Sequence, residues 1–269
     1  MRHPVVFYSI FAVLQGNTKM AAGDESYWSA YNAFRNRDNF LEVYIPMLST
    51  IGSEVNFASV KSVLMLGPGE GRFEIEFIQK CTPNLAKLTA VEQDHESVER
   101  LRNCLRKALP SVEAQVIEGS FCAWKGLDDP IDLVLMFNVL YYWGSDERKQ
   151  LLKNLHDNWL AAGGFLVVLS ICRSHGQIVE QLGTPMYLWE DAEADSLFLE
   201  AGFTKRHVYE IKYTRDFTNP DDLFLRFYAN YDYVGKPVTL DDVRGAAKEL
   251  YPDGKARPTD ILAVFQKAF

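Results

Sequence analysis

Val63-Leu64-Met65-Leu66-Gly67-Pro68-Gly69-Glu70-Gly71-Arg72-Phe73-Glu74 is the stretch that decides the fold of this 269-residue chain. Apolar residues of strand character run into three glycines at alternate positions, and a helix-like sequence follows at once. Glycine at such a junction permits a tight turn and a close backbone approach to a ligand. The spacing narrows the ligand. A dinucleotide fingerprint would place its third glycine at position 72, which is Arg72 here. Plain turn chemistry is the competing explanation for the glycines.

The segment from Lys87 to Asp94 reads as a second strand ending at Glu92, 21 residues beyond Gly71. A carboxylate at that point can accept hydrogen bonds from both hydroxyls of a ribose. The alternative is a surface acid that caps the following helix, beside Asp94 and Glu96. A G-x-G-x-G loop with few basic residues resembles the S-adenosylmethionine (SAM) loop of class I methyltransferases. A cationic sulfonium suits a cleft with negative charge, whereas a pyrophosphate would call for positive charge.

Outward from these two segments, strand and helix patterns alternate. Strand-like stretches fall at 62–66, 87–91, 113–117, 131–137 and 164–171, and helix-like stretches at 72–80, 95–108, 146–160 and 190–201. Such alternation predicts a parallel sheet with right-handed crossovers. The stretches 131–137 and 164–171 are nearly continuous apolar runs, as in strands covered on both faces. Two further strand-like stretches, 206–213 and 261–267, flank a long segment, 214–260. The expected fold is a Rossmann-like class I methyltransferase sheet of seven strands, the last antiparallel. Residues 1–24 form an N-terminal extension and 25–269 the methyltransferase domain. Within it, 25–61 and 214–260 are aromatic-rich segments expected to cover the substrate. Both also fit helices that simply pack an apolar stripe on the core.

Composition narrows the function classes. Net charge is −8 and no basic patch stands out, so a nucleic-acid partner is not expected. Cys81, Cys104, Cys122 and Cys172 form no C-x-x-C pair and no metal pattern with the scattered histidines. They read as free thiols of a reducing compartment, which favours a cytoplasmic protein. The apolar run Pro4–Leu14 is too short to span a bilayer. It fits either a short secretion signal or residues upstream of a true start at Met20. No membrane partner is expected, and a monomer is.

The fourth strand runs into Phe137-Asn138-Val139-Leu140-Tyr141-Tyr142-Trp143. Asn138 is not followed by prolines, which disfavours a nucleobase or amide acceptor; Tyr141, Tyr142 and Trp143 are placed to wall a pocket for a small cationic or aromatic acceptor, or to pack under the next helix. After the third strand, Ser120 and Phe121 are placed to meet a base edge and face, or to form a surface turn.

Phe137–Tyr142, the loop 67–71 and Val91-Glu92, with Tyr27-x-x-x-Tyr31-x-x-Phe34, together resemble the histamine N-methyltransferase family. The resemblance implies SAM contacts at Gly67, Glu92, Ser120 and Phe137, with Ser97 in addition, and the reading of the residues adds Gly69, Gly71 and Phe121. The acceptor site expected from the two together is Tyr27, Tyr31, Asp38, Asn138, Tyr141, Tyr142 and Phe227. The family holds its substrate with an N-terminal glutamate and a C-terminal asparagine. Here the nearest acid is Asp38, which also fits a helix N-cap, and Thr259-Asp260 stand where the asparagine would be.

The reading that follows is methyl transfer from SAM to a nitrogen of a small, histamine-like amine or imidazole, with S-adenosylhomocysteine (SAH) as product. No catalytic acid or base is assigned, because positioning carries the reaction, and no metal is expected. Three alternatives stand beside it. They are SAM-dependent methylation of another small molecule, a SAM-binding pseudo-enzyme, and a nicotinamide oxidoreductase, which Arg72 disfavours.

Overall fold

A computed structural model describes residues 27–120, 124, 126, 129–140, 145–171, 173–183, 191–229 and 237–268. The elements in chain order are α1 (Tyr27–Arg35), α2 (Phe40–Val55), β1 (Ser62–Leu66), α3 (Arg72–Cys81), β2 (Lys87–Glu92), α4 (His95–Ala108) and β3 (Glu113–Glu118). Then come β4 (Ile131–Phe137), α5 (Ser145–Asn154), β5 (Leu160–Ile171), α6 (Arg173–Gln181), α7 (Asp191–Glu200) and β6 (Phe203–Lys212). Last are β7 (Arg215–Asp216), α8 (Asp222–Ala229), α9 (Leu240–Leu250), β8 (Lys255–Ala256) and β9 (Thr259–Lys267). They fall into two compact units. One comprises Phe40–Cys172, Trp189–Ile211 and Thr259–Phe269; the other comprises Met1–Asn39, Arg173–Leu188 and Lys212–Pro258.

The first unit is built on a seven-stranded sheet in the order β3-β2-β1-β4-β5-β9-β6. β1 pairs in parallel with β2 and β4, β2 with β3, and β4 with β5, while β9 runs antiparallel to β5. This is the Rossmann-like methyltransferase sheet that the alternating pattern predicts. β1 and β4 are buried along almost their whole length, as their continuous apolar sequences require. Each fully buried Leu or Val there stabilises by roughly 1.5–3 kcal/mol. α2 packs on α3 through Phe40 and Tyr44 against Phe73, and the Tyr44 hydroxyl donates to the Phe73 carbonyl at 3.2 Å.

β5 begins at Leu160, four residues earlier than the sequence pattern predicts. The register with β4 shifts between Ile131 and Leu133, so that Ile131 faces Leu160 and Leu133 faces Phe165. Ala161-Ala162-Gly163-Gly164 stand opposite Asp132 alone and are small enough to bulge, with Gly163 at φ 73°. The preceding helix also ends early. It is α-helical to Asn154 and finishes as a π-turn over Leu155–Trp159.

The second unit joins α1, α6, α8 and α9 with the two-stranded sheet β7–β8. Its core includes Phe34, Phe217, Phe224, Phe227, Tyr228 and Tyr251. α6 has no counterpart in the predicted elements. Gly176 lowers its intrinsic helicity, and packing of Ile178 and Val179 into this core compensates.

Candidate functional site

Because β3, β2, β1 and β4 are parallel neighbours, their C-terminal ends lie along one edge. The loops that follow them are stitched together by backbone hydrogen bonds. Gly67 N donates to Val91 O at 2.9 Å, Gly119 N to Glu92 O at 2.8 Å, and Asn138 N to Leu169 O at 2.7 Å. The edge of the sheet thus gathers Gly67, Gly69, Gly71, Glu92, Ser97, Ser120, Phe137 and Asn138.

Gly67, Gly69 and Gly71 have φ of 60°, 58° and 76°, a left-handed run open to glycine and strained for other residues. At Gly71 sterics add to this, since a Cβ would stand 2.6 Å from Leu101 Cδ1. Gly71 caps α3, and its carbonyl accepts the first helical bond from Ile75 N at 2.9 Å.

Glu92 is fixed against this loop and is 7% exposed. Its Oε2 accepts from Gly69 N at 2.9 Å, and its Oε1 from Gln93 N at 2.8 Å and Asp94 N at 2.9 Å. Burial pushes its carboxyl above the usual range, and the three backbone donors pull it partly back. It forms no ion pair among the described residues. Capping of α4 falls to Asp94 instead, whose Oδ2 accepts from Ser97 N at 2.8 Å and Ser97 Oγ at 2.6 Å. The helix-cap alternative for Glu92 is therefore filled by its neighbour. A carboxylate has room for about four hydrogen bonds and Glu92 receives three, so it keeps capacity for a ligand hydroxyl.

Ser120 is half-buried just past β3, whose Glu118 pairs with Glu92. Phe137 is 4% exposed, with its ring edge-on to Phe77 at 5.9 Å. Asn138 leaves β4 at φ 54°, a strained conformation for a residue with a side chain. Its Oδ1 is buried and has no hydrogen-bond partner among the described residues. Phe121, Tyr141, Tyr142 and Trp143 lie outside the described residues, as does the side chain of Tyr27.

The other three expected acceptor residues belong to the second unit. Tyr31 Oη accepts from Arg35 Nε at 3.3 Å, and its ring lies 6.0 Å from Phe227. Phe227 stacks on Phe34 at 3.9 Å within the core. Asp38 is buried, and its Oδ2 receives Arg215 Nη2 at 3.0 Å and Arg35 Nη1 at 3.4 Å. Arg215 is 1% exposed, lies 3.8 Å over the Phe34 ring, and also donates to Tyr228 Oη and Tyr213 Oη, each at 3.3 Å. Burial opposes the Arg215 charge, but Tyr228, Tyr213 and Asp38 more than offset it and raise its pKa. Cations of the protein itself thus engage Asp38 and the Phe34 ring. Arg35 and Arg215 were missed in the sequence reading; Arg35 lies only three positions from Asp38, whereas no local signal marks Arg215, 177 positions away.

The glycine cradle, an acid beside it without a counter-cation among the described residues, and a polar residue at the end of β4 fit SAM as a ligand. No cluster of metal-ligating side chains occurs among the described residues, and no described helix is long and apolar enough to cross a membrane.

Residues 63–164 match a family model described as a methyltransferase domain. No curated protein matches the chain at the sequence level. Among solved structures, a putative methyltransferase from Bacillus halodurans C-125 aligns with a TM-score of 0.62 at 15% identity, covering 84% of this chain and 99% of that one. The N-methyltransferase NodS from Bradyrhizobium japonicum WM9 aligns at 0.53 and 14%, covering 86% and 97%. The cyclase SpnF aligns at 0.53 and 14%, covering 83% and 81%. These likenesses establish the fold. The domain match supports SAM-dependent methyl transfer, and nothing in either comparison points to the histamine N-methyltransferase family in particular.

Proposed function

We propose that this chain methylates a nitrogen of a small amine or imidazole, using SAM held at the edge of the sheet. The observation that carries the reading is Glu92, pinned to Gly69 N with no cation among the described residues against it. In this reading the left-handed glycines form the floor beneath the methionyl part, and Glu92 takes the ribose hydroxyls. Ser120 flanks the adenine, and Ser97 acts through Asp94. Bound there, SAM supplies an already activated methyl group. The chain then has to align the acceptor in line with the transferring carbon and keep water out.

Asn138 is the acceptor contact best supported by geometry, because its buried Oδ1 calls for a donor and an N–H supplies one. A neutral imidazole nitrogen carries a free lone pair and needs no base, which favours an imidazole-type acceptor. Asp38 is a weaker anchor for a substrate ammonium than its charge suggests, since two guanidinium groups already hold it.

Incubation with isotopically labelled SAM and a panel of amines and imidazoles, histamine included, followed by mass spectrometry, tests this. The expected result is a labelled N-methyl product. Transfer only to oxygen, sulfur or carbon acceptors would overturn the nitrogen assignment, and tight SAM binding without transfer would favour the pseudo-enzyme reading.

A further inference from the structure

The two end strands of the seven-stranded sheet are unlike. β3, at one end, is six residues long, and its Val116 carbonyl accepts Arg102 Nη2 at 3.1 Å. Its charged residues, Glu113 and Glu118, have one sign. β6, at the other end, is ten residues long and has β9 as its neighbour in the sheet. Thr204, Lys205, Arg206, Val208 and Glu210 along it are exposed. Val208 is 45% exposed. The other exposed large apolar side chain among the described residues is Leu199, in the helix α7 that leads into this strand. Tyr209 is held in place by its hydrogen bond to Glu54 Oε2 at 2.7 Å and by the His207 ring, parallel to its own at 5.9 Å. An end strand of this length offers a row of backbone N–H and C=O groups that another strand can join.

The charges along β6 select the strand that joins it. Two copies of one strand continue a sheet through a two-fold axis normal to it, and residues opposite each other then share a face. The axis must therefore pass at a residue of the strand, not between two. Among axes that pair at least half of β6, those at Lys205, Arg206 and Glu210 set like charges together, and one at Tyr209 sets Arg206 against Lys212. An axis at His207 sets Arg206 against Val208 and brings no opposite charges together. An axis at Val208 sets Arg206 of each copy against Glu210 of the other and Val208 against its own counterpart. On the other face it sets His207 against Tyr209, and opposite-charge and aromatic cross-strand pairs are favourable. We propose that two copies of this chain associate by antiparallel pairing of β6 with β6 about Val208, joining their sheets into one. The occupant of this edge is a second copy because both ion pairs arise from the strand's own sequence. The association stands apart from the identity of the cofactor and the acceptor.

Sedimentation equilibrium over a series of protein concentrations tests this. The wild-type chain is expected to show a monomer–dimer equilibrium. Arg206→Glu and Glu210→Arg each turn both ion pairs into like-charge contacts, and each should weaken the dimer about tenfold or more. Combining Arg206→Glu with Glu210→Arg restores both pairs with their signs exchanged, and should return the dimer to within about threefold of wild type. Val208→Lys sets two ammonium groups together at the axis and should weaken the dimer as well. All three positions are exposed, and circular dichroism confirms that each variant folds. A wild type that sediments as a single chain at every concentration would overturn the proposal. So would a dimer that both single charge reversals leave unchanged, or a double variant that associates no better than the single ones.

Discussion

Glu92 and Asp38 are both buried acids, and they are neutralised in opposite ways. Glu92 sits at the edge of the sheet and is held by three backbone N–H groups, none carrying a formal charge. Asp38 sits in the other unit and is held by two guanidinium groups. Backbone donors fix a carboxylate in place but leave its charge to act on whatever comes near. Arginines cancel that charge and lock the acid into the fold. Residue type alone therefore does not mark a ligand site, and what surrounds the acid decides. Glu92 is built to meet a ligand, whereas Asp38 ties Asn36–Asn39 to β7, a link seen again where Asn39 Oδ1 accepts Thr214 N at 2.8 Å.

Three experiments probe this contrast. Arg215→Met should cost about 3–5 kcal/mol of unfolding free energy, the range for removing one partner of a buried ion pair. Urea denaturation measures it, and adding Asp38→Asn should recover part of the loss. A change below about 1 kcal/mol would mean that Asp38 does not depend on its arginines. Glu92→Ala should act mainly on the ligand, weakening SAM binding by about 1.5–3 kcal/mol by calorimetry. A folded variant with unchanged SAM affinity would remove Glu92 from the site. The smallest effect is in the pH dependence of stability. Burial raises the carboxyl of Glu74, in the first turn of α3, from 4.5 to about 8, so between those values the folded chain holds a proton that the unfolded chain has lost. Stability from this group is fully present below 4.5 and declines as pH rises through 8, by roughly 1–2 kcal/mol between pH 6.5 and 8. Glu74→Gln should flatten that part of the profile, and a slope unchanged by the substitution would place the titration elsewhere.

Much of the sheet was legible because its signals are local. The strand patterns at 62–66 and 131–137 and the helix at 95–108 coincide with β1, β4 and α4, where continuous apolar runs and the Asp94 cap set the limits. β5 and the helix before it were misjudged by a few residues, because Ala161–Gly164 bulges out of the pairing with β4, which holds at Leu160 and resumes at Phe165. α6 was missed because its helicity comes from the core it packs into.

The sequence by itself determined the parallel sheet, the glycine loop and the acid at the end of β2, since each depends on residues close together in the chain. The left-handed glycines need no distant partner to mark a turn. Tertiary structure alone decided how each acid is used. Glu92 reaches back to Gly69 N across 23 positions, and Arg215 reaches Asp38 across 177. Burial and charge pairing depend on what the folded chain brings together, and the order of residues does not record it.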